Sequence, residues 1–310
     1  MNEEDFIRTL ARIHGLRTFE TDSDAVPSGR GTLLVSTDSF SCEEDFLSGL
    51  SPVEMGRLMA YGACTDLLAS GARPEAMTQV WTCATAEQDS FYAQMATGVQ
   101  EVLAHYGAVV LGGDVATAAA WSWSATVFGH AERPVRRVAS ARVDFDLYVS
   151  DLLGAANAAV ALGRPLPLPR LREPVPANAL FATDTSGGFF DALENFRRVN
   201  AGIWLEVDGE RAVSREVLDG LPSGIEPGWT LVGGVGEYAL VFAVPVGSAV
   251  REGILVGHGG FRSDGATEMR LRMGGRVGRM ASSPPDWRSV APADRLTVVS
   301  GYWRKLFEER

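Results

Sequence analysis

The chain has 310 residues, of which 46% are hydrophobic, so it is long enough for two domains or one large one with a buried core. Its formal net charge of -11 disfavours a nucleic-acid backbone or an anionic membrane surface as partner, because both would repel it at long range. No apolar run is long enough to span a membrane, and the acidic start lacks the features of a secretory signal, which predicts a cytoplasmic protein.

The cysteine and lysine contents exclude several kinds of site. Cys42, Cys64 and Cys83 share no C-x-x-C spacing, so neither a zinc site nor a disulfide framework is expected. Lys305 is the only lysine, which excludes the G-x-x-x-x-G-K-[ST] phosphate loop and makes a lysine nucleophile improbable. Positive charge for a phosphate ligand should therefore come from arginine.

Hydrophobic patterning predicts alternating strands and helices in the first half of the chain. Residues 32–40 are β-branched and apolar, which predicts a strand that carries Asp38 at its C-terminal end. Ser51, Pro52 and Glu54 form a capping-box pattern, which predicts a helix that begins at Pro52 and ends before Gly71. Further elements are predicted as strands over 77–85, 108–114 (a buried strand ending in a tight glycine turn) and 121–130, and as a helix over 87–106.

The second half continues the same alternation. Strands are predicted over 146–150 and 202–208, helices over 154–162, 191–200 and 214–221, and a turn leading into a strand over 233–245. A proline-rich stretch at 165–176 is too rigid and too poor in N–H donors for a helix or a central strand, and composition alone would place a domain boundary there. The alternation predicts an α/β or α+β architecture.

Aspartates beside small residues at predicted strand or helix ends are the most informative feature of the chain. They are Asp22, Asp38, Asp66 and Asp114, and the last follows a glycine pair. Any one of them could be a cap or turn residue. Together they predict a cage for Mg²⁺ and a polyphosphate, because hard cations take carboxylate oxygens and leave positions open for phosphate.

Short strings carry a resemblance to a known superfamily. They are TDSDAV at 21–26, STD at 36–38, TDLLASGARP at 65–74, GGD at 112–114, DTSGGF at 184–189 and GGVGEYALVF at 233–242. In this order they resemble the superfamily of thiamine-monophosphate kinase, aminoimidazole ribonucleotide synthetase, selenophosphate synthetase and a hydrogenase maturation enzyme. The chain is similar to thiamine-monophosphate kinase over nearly its whole length.

The resemblance implies a two-domain fold of the aminoimidazole ribonucleotide synthetase type. Residues 1–140 would form the N-terminal domain for ATP, metal and dimerisation, and residues 141–310 the C-terminal substrate domain. We prefer this boundary to the proline-rich stretch, because the ordered strings are more specific than a proline count. The implied cofactors are ATP and Mg²⁺, and the implied partners are a small-molecule acceptor and a second copy of the chain in a homodimer, with no nucleic acid and no membrane.

Carried over position by position, the resemblance also implies roles for individual residues. Asp22, Asp38, Asp66 and Asp114 would be metal ligands, and Asp38 and Asp114 would also be catalytic. Arg137 is the expected catalytic countercharge, with Arg73 and Arg170 as weaker choices. The residues expected to bind the nucleotide are Thr37, Gly112, Gly113, Asp184 and Ser186.

Departures from the family pattern lie on the acceptor side. The second aspartate of GDDAAV is Ser23 here, partly offset by Asp24, the aspartate of the SDG motif is Gly187, and the acidic pair of GGED is reduced to Gly236 followed by Glu237. The resemblance therefore implies an ATP-using phosphotransferase, while two alternatives stay open. One is a carbonyl- or amide-activating synthetase, and the other is a nucleotide-binding relative without catalytic activity.

Overall fold

The computed structural model describes residues 23–29, 31–43, 47–285, 290 and 294–308. These residues form two β-sheets with helices packed on them, which confirms the predicted mixed α/β architecture. The first sheet ends at residue 131 and the second begins at residue 145. The domain boundary at residue 140 falls between them and stays a prediction. Within the described ranges, every helix is too short or too polar to cross a membrane.

The first sheet has five strands. They are β1 (Asp24–Ser28), β2 (Gly31–Ser41), β3 (Arg73–Ala84), β4 (Val109–Ala118) and β5 (Ser122–Ala131). Their order across the sheet is β1-β2-β5-β3-β4, and only the β3–β4 pair is parallel. β4 is therefore an edge strand, and all of its residues are exposed. The prediction of a buried strand that ends in a tight turn at the glycine pair is wrong on both points, because every residue of β4 is exposed and the strand continues through the glycines to Ala118.

Two long helices cover this sheet, α1 (Pro52–Ala69) and α2 (Asp89–Tyr106). The predicted capping box at α1 is confirmed, since the Ser51 side chain accepts from the Glu54 N–H and the Glu54 carboxylate accepts from the Ser51 N–H. Gly107 ends α2 with a φ of 71°, in the left-handed conformation that glycine adopts without strain.

The second sheet has seven strands, in the order β12-β11-β8-β10-β6-β9-β7. They are β6 (Phe145–Val149), β7 (Phe181–Asp184), β8 (Ile203–Asp208), β9 (Leu240–Pro245), β10 (Ile254–Phe261), β11 (Glu268–Met273) and β12 (Arg276–Arg279). Its helices are α3 (Ala155–Ala161), α4 (Phe189–Val199), α5 (Gly209–Ala212), α6 (Arg215–Asp219), α7 (Gly228–Val232) and α8 (Arg295–Glu308). The sequence patterns did not predict β1, β7, β10 to β12, α5, α7 or α8.

Helix α1 lies between the two sheets. It contacts β2, β3 and β5 on one side and β7 and β9 on the other. Twelve of its eighteen residues are buried, including Leu58, Met59 and Leu67. Burying apolar area on both sides of one helix stabilises each sheet and also joins them.

Glycines allow α1 and α2 to approach closely. A Cβ atom on Gly56 would overlap the main-chain carbonyl oxygen of Met95 in α2, and a Cβ on Gly98 would overlap that of Val53 in α1. The two helices therefore pack backbone against backbone at this crossing. No larger residue fits there without moving a helix.

We expect Gly98→Ala to lower the free energy of unfolding by about 1–3 kcal/mol through overpacking. Gly301→Ala is the matched control, because Gly301 also lies inside a helix but its Cβ would meet nothing within 4 Å. Alanine has the higher helix propensity, so the control should gain roughly 0.5–1 kcal/mol. Urea unfolding of both variants measures the difference, and a stabilised Gly98→Ala variant would contradict the close crossing.

Candidate active site

Two consecutive residues of α1, Thr65 and Asp66, each contact a different sheet. The Ser36 hydroxyl on β2 donates to Oδ2 of Asp66 at 2.6 Å. The Thr65 hydroxyl donates to Oδ2 of Asp184, at the end of β7, at 2.6 Å. Successive residues of a helix point about 100° apart, which is why one faces the first sheet and the other faces the second.

Asp184 is a buried carboxylate, with 4% of its surface exposed. Its second oxygen, Oδ1, accepts from the Ser186 hydroxyl at 2.9 Å. Two hydroxyl donors therefore satisfy a group that would be costly to bury alone. Asp184 and Ser186, both expected to bind the nucleotide, lie together beside Thr65 and Asp66.

Asp38 lies on the same face of β2 as Ser36, because side chains two residues apart on a strand share a face. It is therefore on the side of the sheet where Asp66 lies, roughly 7 Å along the strand from Ser36. Its Oδ1 accepts from the Ser39 N–H at 2.8 Å. Thr37 points to the opposite, exposed face, where its hydroxyl is 2.9 Å from that of Thr126.

Asp114 lies on the edge strand β4, away from this group. Asp38, Ala125, Gln79 and Gly113 stand in one row across β2, β5, β3 and β4. The row spans three strand spacings, so Asp38 and Gly113 are roughly 14 Å apart within one chain. The Asp114 Oδ1 accepts from the Val115 N–H at 2.9 Å.

The glycines before Asp114 have different structural roles. Gly112 has a φ of 140°, a conformation that side-chain-bearing residues rarely adopt. Gly113 lies so close to β3 that a Cβ atom would overlap the Gln79 carbonyl oxygen. The main chain of β4 is therefore exposed and free of side chains at this point, which suits close approach of a phosphate group.

The structure brings only part of the predicted metal cage together within one chain. Among the described residues, no three His, Cys, Asp or Glu side chains are placed to hold a metal ion. Asp22 lies outside the described residues. Asp38 and Asp66 face the same side of β2, and Asp114 does not join them. The cage stays a prediction.

Arg137 lies beside the strand that carries Asp184. Its Nε donates to the Thr183 hydroxyl at 3.1 Å, and its carbonyl oxygen accepts from the Asn200 side chain at 2.9 Å. Arg73, a weaker choice, instead pairs with Glu173 and donates to the main-chain oxygens of His105 and Tyr106. Arg137 is thus the predicted arginine nearest to the group around Asp184.

A cavity of about 240 Å³ borders the second sheet. Asp151, Arg170, Arg172 and Tyr238 line it, and Asp151 Oδ2 accepts from Arg172 at 2.7 Å. Tyr238 has a φ of 52°, the one positive φ outside glycine in the described part of the chain. The ring of Tyr238 also faces that of Phe40 on β2, 6.4 Å between centroids, so it stands between the cavity and the first sheet. Sequence patterns gave no signal for this cavity.

Glu237 is buried against the start of α3. Its carboxylate accepts from the N–H groups of Gly154 at 3.0 Å, Ala156 at 3.1 Å and Asn157 at 3.3 Å. Burial raises the pKa of Glu237 to about 7, although these N–H donors act in the opposite direction. Glu237, which is the one acidic residue left in the segment that matches GGED, therefore holds residues 236–239 to α3.

Because the folded-state pKa of Glu237 is above the ordinary glutamate value of 4.5, the stability that this residue contributes is complete below about pH 4.5 and is lost as pH rises through 7. The shift corresponds to roughly 3 kcal/mol. We expect the wild type to lose stability relative to Glu237→Gln between pH 5 and 8, in urea unfolding at each pH. Glu216→Gln, an exposed acid on α6, is the control. A pH-independent difference would contradict the raised pKa.

Comparison with known proteins finds a family match in the first half of the chain. Residues 21–131 match the family model described as AIR synthase related protein, N-terminal domain. The match covers β1 to β5 with α1 and α2, so Asp22, Asp38, Asp66 and Asp114 all fall inside this AIR synthase related domain.

Two curated sequences are similar to the chain, and both are thiamine-monophosphate kinases. The protein of Archaeoglobus fulgidus is 25% identical over 162 residues, 51% of this chain and 53% of the relative. The protein of Methanospirillum hungatei is 26% identical over 115 residues, 37% of this chain and 39% of the relative. The chain thus matches about half or less of each relative's length.

Solved structures extend the likeness in fold beyond the AIR synthase related domain. AaThiL complexed with AMPPCP and TMP superposes with a TM-score of 0.73 at 19% identity, covering 86% of this chain and 93% of that one. The hydrogenase maturation protein HypE in complex with ATP superposes with a TM-score of 0.61 at 16% identity, covering 84% and 89%. The predicted two-domain fold of this superfamily is confirmed.

Proposed function

We propose that the chain is an Mg²⁺-dependent kinase that transfers the γ-phosphoryl group of ATP to a small, phosphorylated acceptor, as thiamine-monophosphate kinase does. The observation that carries this proposal is the contact of α1 with both sheets, which gathers Asp38, Asp66, Asp184 and Ser186 around one helix. The curated relatives and the nucleotide complexes of structures with the same fold support it.

The donor set between α1 and the first sheet fits a hard cation. Asp38 and Asp66 offer carboxylate oxygens on one face, with the Ser36 hydroxyl beside them. These residues would hold Mg²⁺ together with phosphate oxygens. When bound, the ion would neutralise negative charge on the transferring phosphoryl group.

The reaction itself needs alignment and charge compensation from the chain. An acceptor phosphate oxygen forms a bond to the γ-phosphorus while the bond from that phosphorus to the β–γ bridging oxygen breaks, and ADP leaves. Arg137 would compensate charge on the acceptor side, because it is held beside Asp184 through Thr183. Ser186 and Asp184 would orient the groups around the transferred phosphate, and Gly112 and Gly113 would admit phosphate close to the main chain.

A homodimer is part of this proposal. The edge strand β4 exposes Val109, Leu111 and Val115, which are 55%, 64% and 69% accessible. An unpaired edge with apolar side chains is a surface that a second strand or sheet covers. Pairing through β4 would remove this surface from water. It would also place residues of the second copy beside Asp114, where they could complete a phosphate-binding site.

We expect Asp38→Asn and Asp66→Asn each to lower kcat by about a hundredfold, because each removes charge from the proposed metal site. ADP formation from MgATP with thiamine monophosphate measures the loss, and chelation of Mg²⁺ should abolish turnover of the wild type. Asp219→Asn is the control, since Asp219 is an exposed residue that pairs only distantly with Arg215, at 3.8 Å. Unchanged turnover in both site variants would refute the proposed metal site.

We expect Val115→Glu to dissociate the homodimer, because it places charge in the apolar surface of β4. Val277→Glu is the matched control, since Val277 is 56% accessible on another edge strand, β12. Light scattering after size-exclusion chromatography gives the mass of each variant. A monomeric wild type, or a dimeric Val115→Glu variant, would contradict the proposed interface.

A carbonyl-activating synthetase is the second candidate, and the glycine pair of the 184–189 motif favours it. Gly188 has a φ of 92° and lies against the Gly233 carbonyl oxygen, whereas nothing about the φ of Gly187 requires glycine. An acidic residue is thus absent where the kinase pattern has one. Release of free phosphate that depends on a nitrogen-containing acceptor would support the synthetase, and formation of a phosphorylated product supports the kinase.

A further inference from the structure

Gly187 lies in the loop between β7 and α4, and its surroundings show what replaces the missing side chain. Ser186 and Gly187 are both exposed in this loop. A Cβ atom on Gly187 would lie 2.7 Å from Oδ2 of Asp191 and 3.0 Å from its Cγ. The carboxyl group of Asp191, from the first turn of α4, therefore stands where a side chain at position 187 would begin.

The carboxyl group of Asp191 belongs to the same group of charged residues as Arg137 and Asp184. Burial raises its pKa, and the positive charges of Arg137 and Arg198 act against this rise. The nearby Asp184 carboxylate adds to it. Oδ2 of Asp191 accepts from the Asn195 side chain at 3.1 Å, which holds the carboxyl group in its place toward Gly187.

We propose that Asp191 is the acceptor-binding carboxylate of this chain, supplied by α4 in place of a side chain at position 187. The proposal rests on the proposed function. Asp191 would accept a hydrogen bond from a donor or cationic group of the acceptor, while Arg137 pairs with the acceptor's phosphate. The acceptor class is therefore a phosphorylated small molecule that carries a hydrogen-bond donor or a positive charge.

The position of Asp191 in a helix affects how firmly its carboxyl group is held. A residue in the first turn of a helix has less backbone freedom than one in an exposed loop, so the carboxyl group is better ordered before the acceptor binds. Removing it should weaken acceptor use more than nucleotide use, because Asp38, Asp66, Asp184 and Ser186, the residues proposed to hold Mg²⁺ and the nucleotide, are all kept. A purely structural role at the helix start would instead affect both substrates through stability.

The experiment removes the carboxylate at position 191 and then introduces one at position 187 in the loop. Asp191→Asn, Asp191→Ala and the double variant Gly187→Asp, Asp191→Ala are assayed with MgATP and thiamine monophosphate. We expect both single variants to lower kcat/KM for thiamine monophosphate by about ten- to a hundredfold, the effect of losing a hydrogen bond to a charged group. The KM for ATP should stay within about twofold. The double variant should recover most of the loss, since it restores a carboxylate at the same point.

The control for an acid in the first turn of a helix is Asp89→Asn at the start of α2, which should leave both constants unchanged. Thermal unfolding of each variant checks folding, and Asp191→Ser replaces Asp191→Asn if the latter does not fold. Wild-type acceptor use in the Asp191 variants, or equal loss for both substrates without recovery in the double variant, would overturn the inference. A wild type that forms no ADP refutes the proposed function, and the inference with it, before any variant is made.

Discussion

The hydrogen bond from Thr65 to Asp184 is the interaction on which the arrangement of the site depends. Both residues are buried, and the donor is on the helix between the sheets while the acceptor ends a strand of the second sheet. A hydrogen bond to a charged group contributes about 1.5–3 kcal/mol, and leaving the carboxylate without it would cost a similar amount. Since Asp66 follows directly and contacts Ser36, a change at Thr65 would displace the candidate metal ligands as well as the loop that begins at Asp184.

Close helix packing makes this arrangement possible. Because Gly56 and Gly98 let α1 and α2 touch through their main chains, α1 sits deep enough to contact both sheets. Two of its polar residues have partners in this position, Asp66 in the Ser36 hydroxyl and Thr65 in the Asp184 carboxylate. The positions of Thr65 and Asp66 in the candidate site therefore depend on the burial of this helix.

The net charge of the chain and the charges of individual arginines would act on a nucleotide in opposite directions. The chain as a whole is strongly acidic, with a net charge of -11, so a nucleotide gains nothing from its overall field. Under the proposed function, attraction would come from arginines held in defined contacts, such as Arg137 beside Thr183. Glu237 is turned into the structure, and the carboxyl group of Asp191 lies against Gly187 on the side proposed to bind the acceptor.

The sequence by itself determined many of the local elements and the type of fold. The capping box at Ser51 and the ordered strings were enough for these, because caps and motif order depend on residues close together in the chain. Tertiary structure alone decided which distant residues meet. It put Asp66 against Ser36 and Thr65 against Asp184, and it separated Asp38 from Gly113 by three strand spacings. Sheet order and helix depth set these contacts, and neither is written in the spacing of residues along the chain.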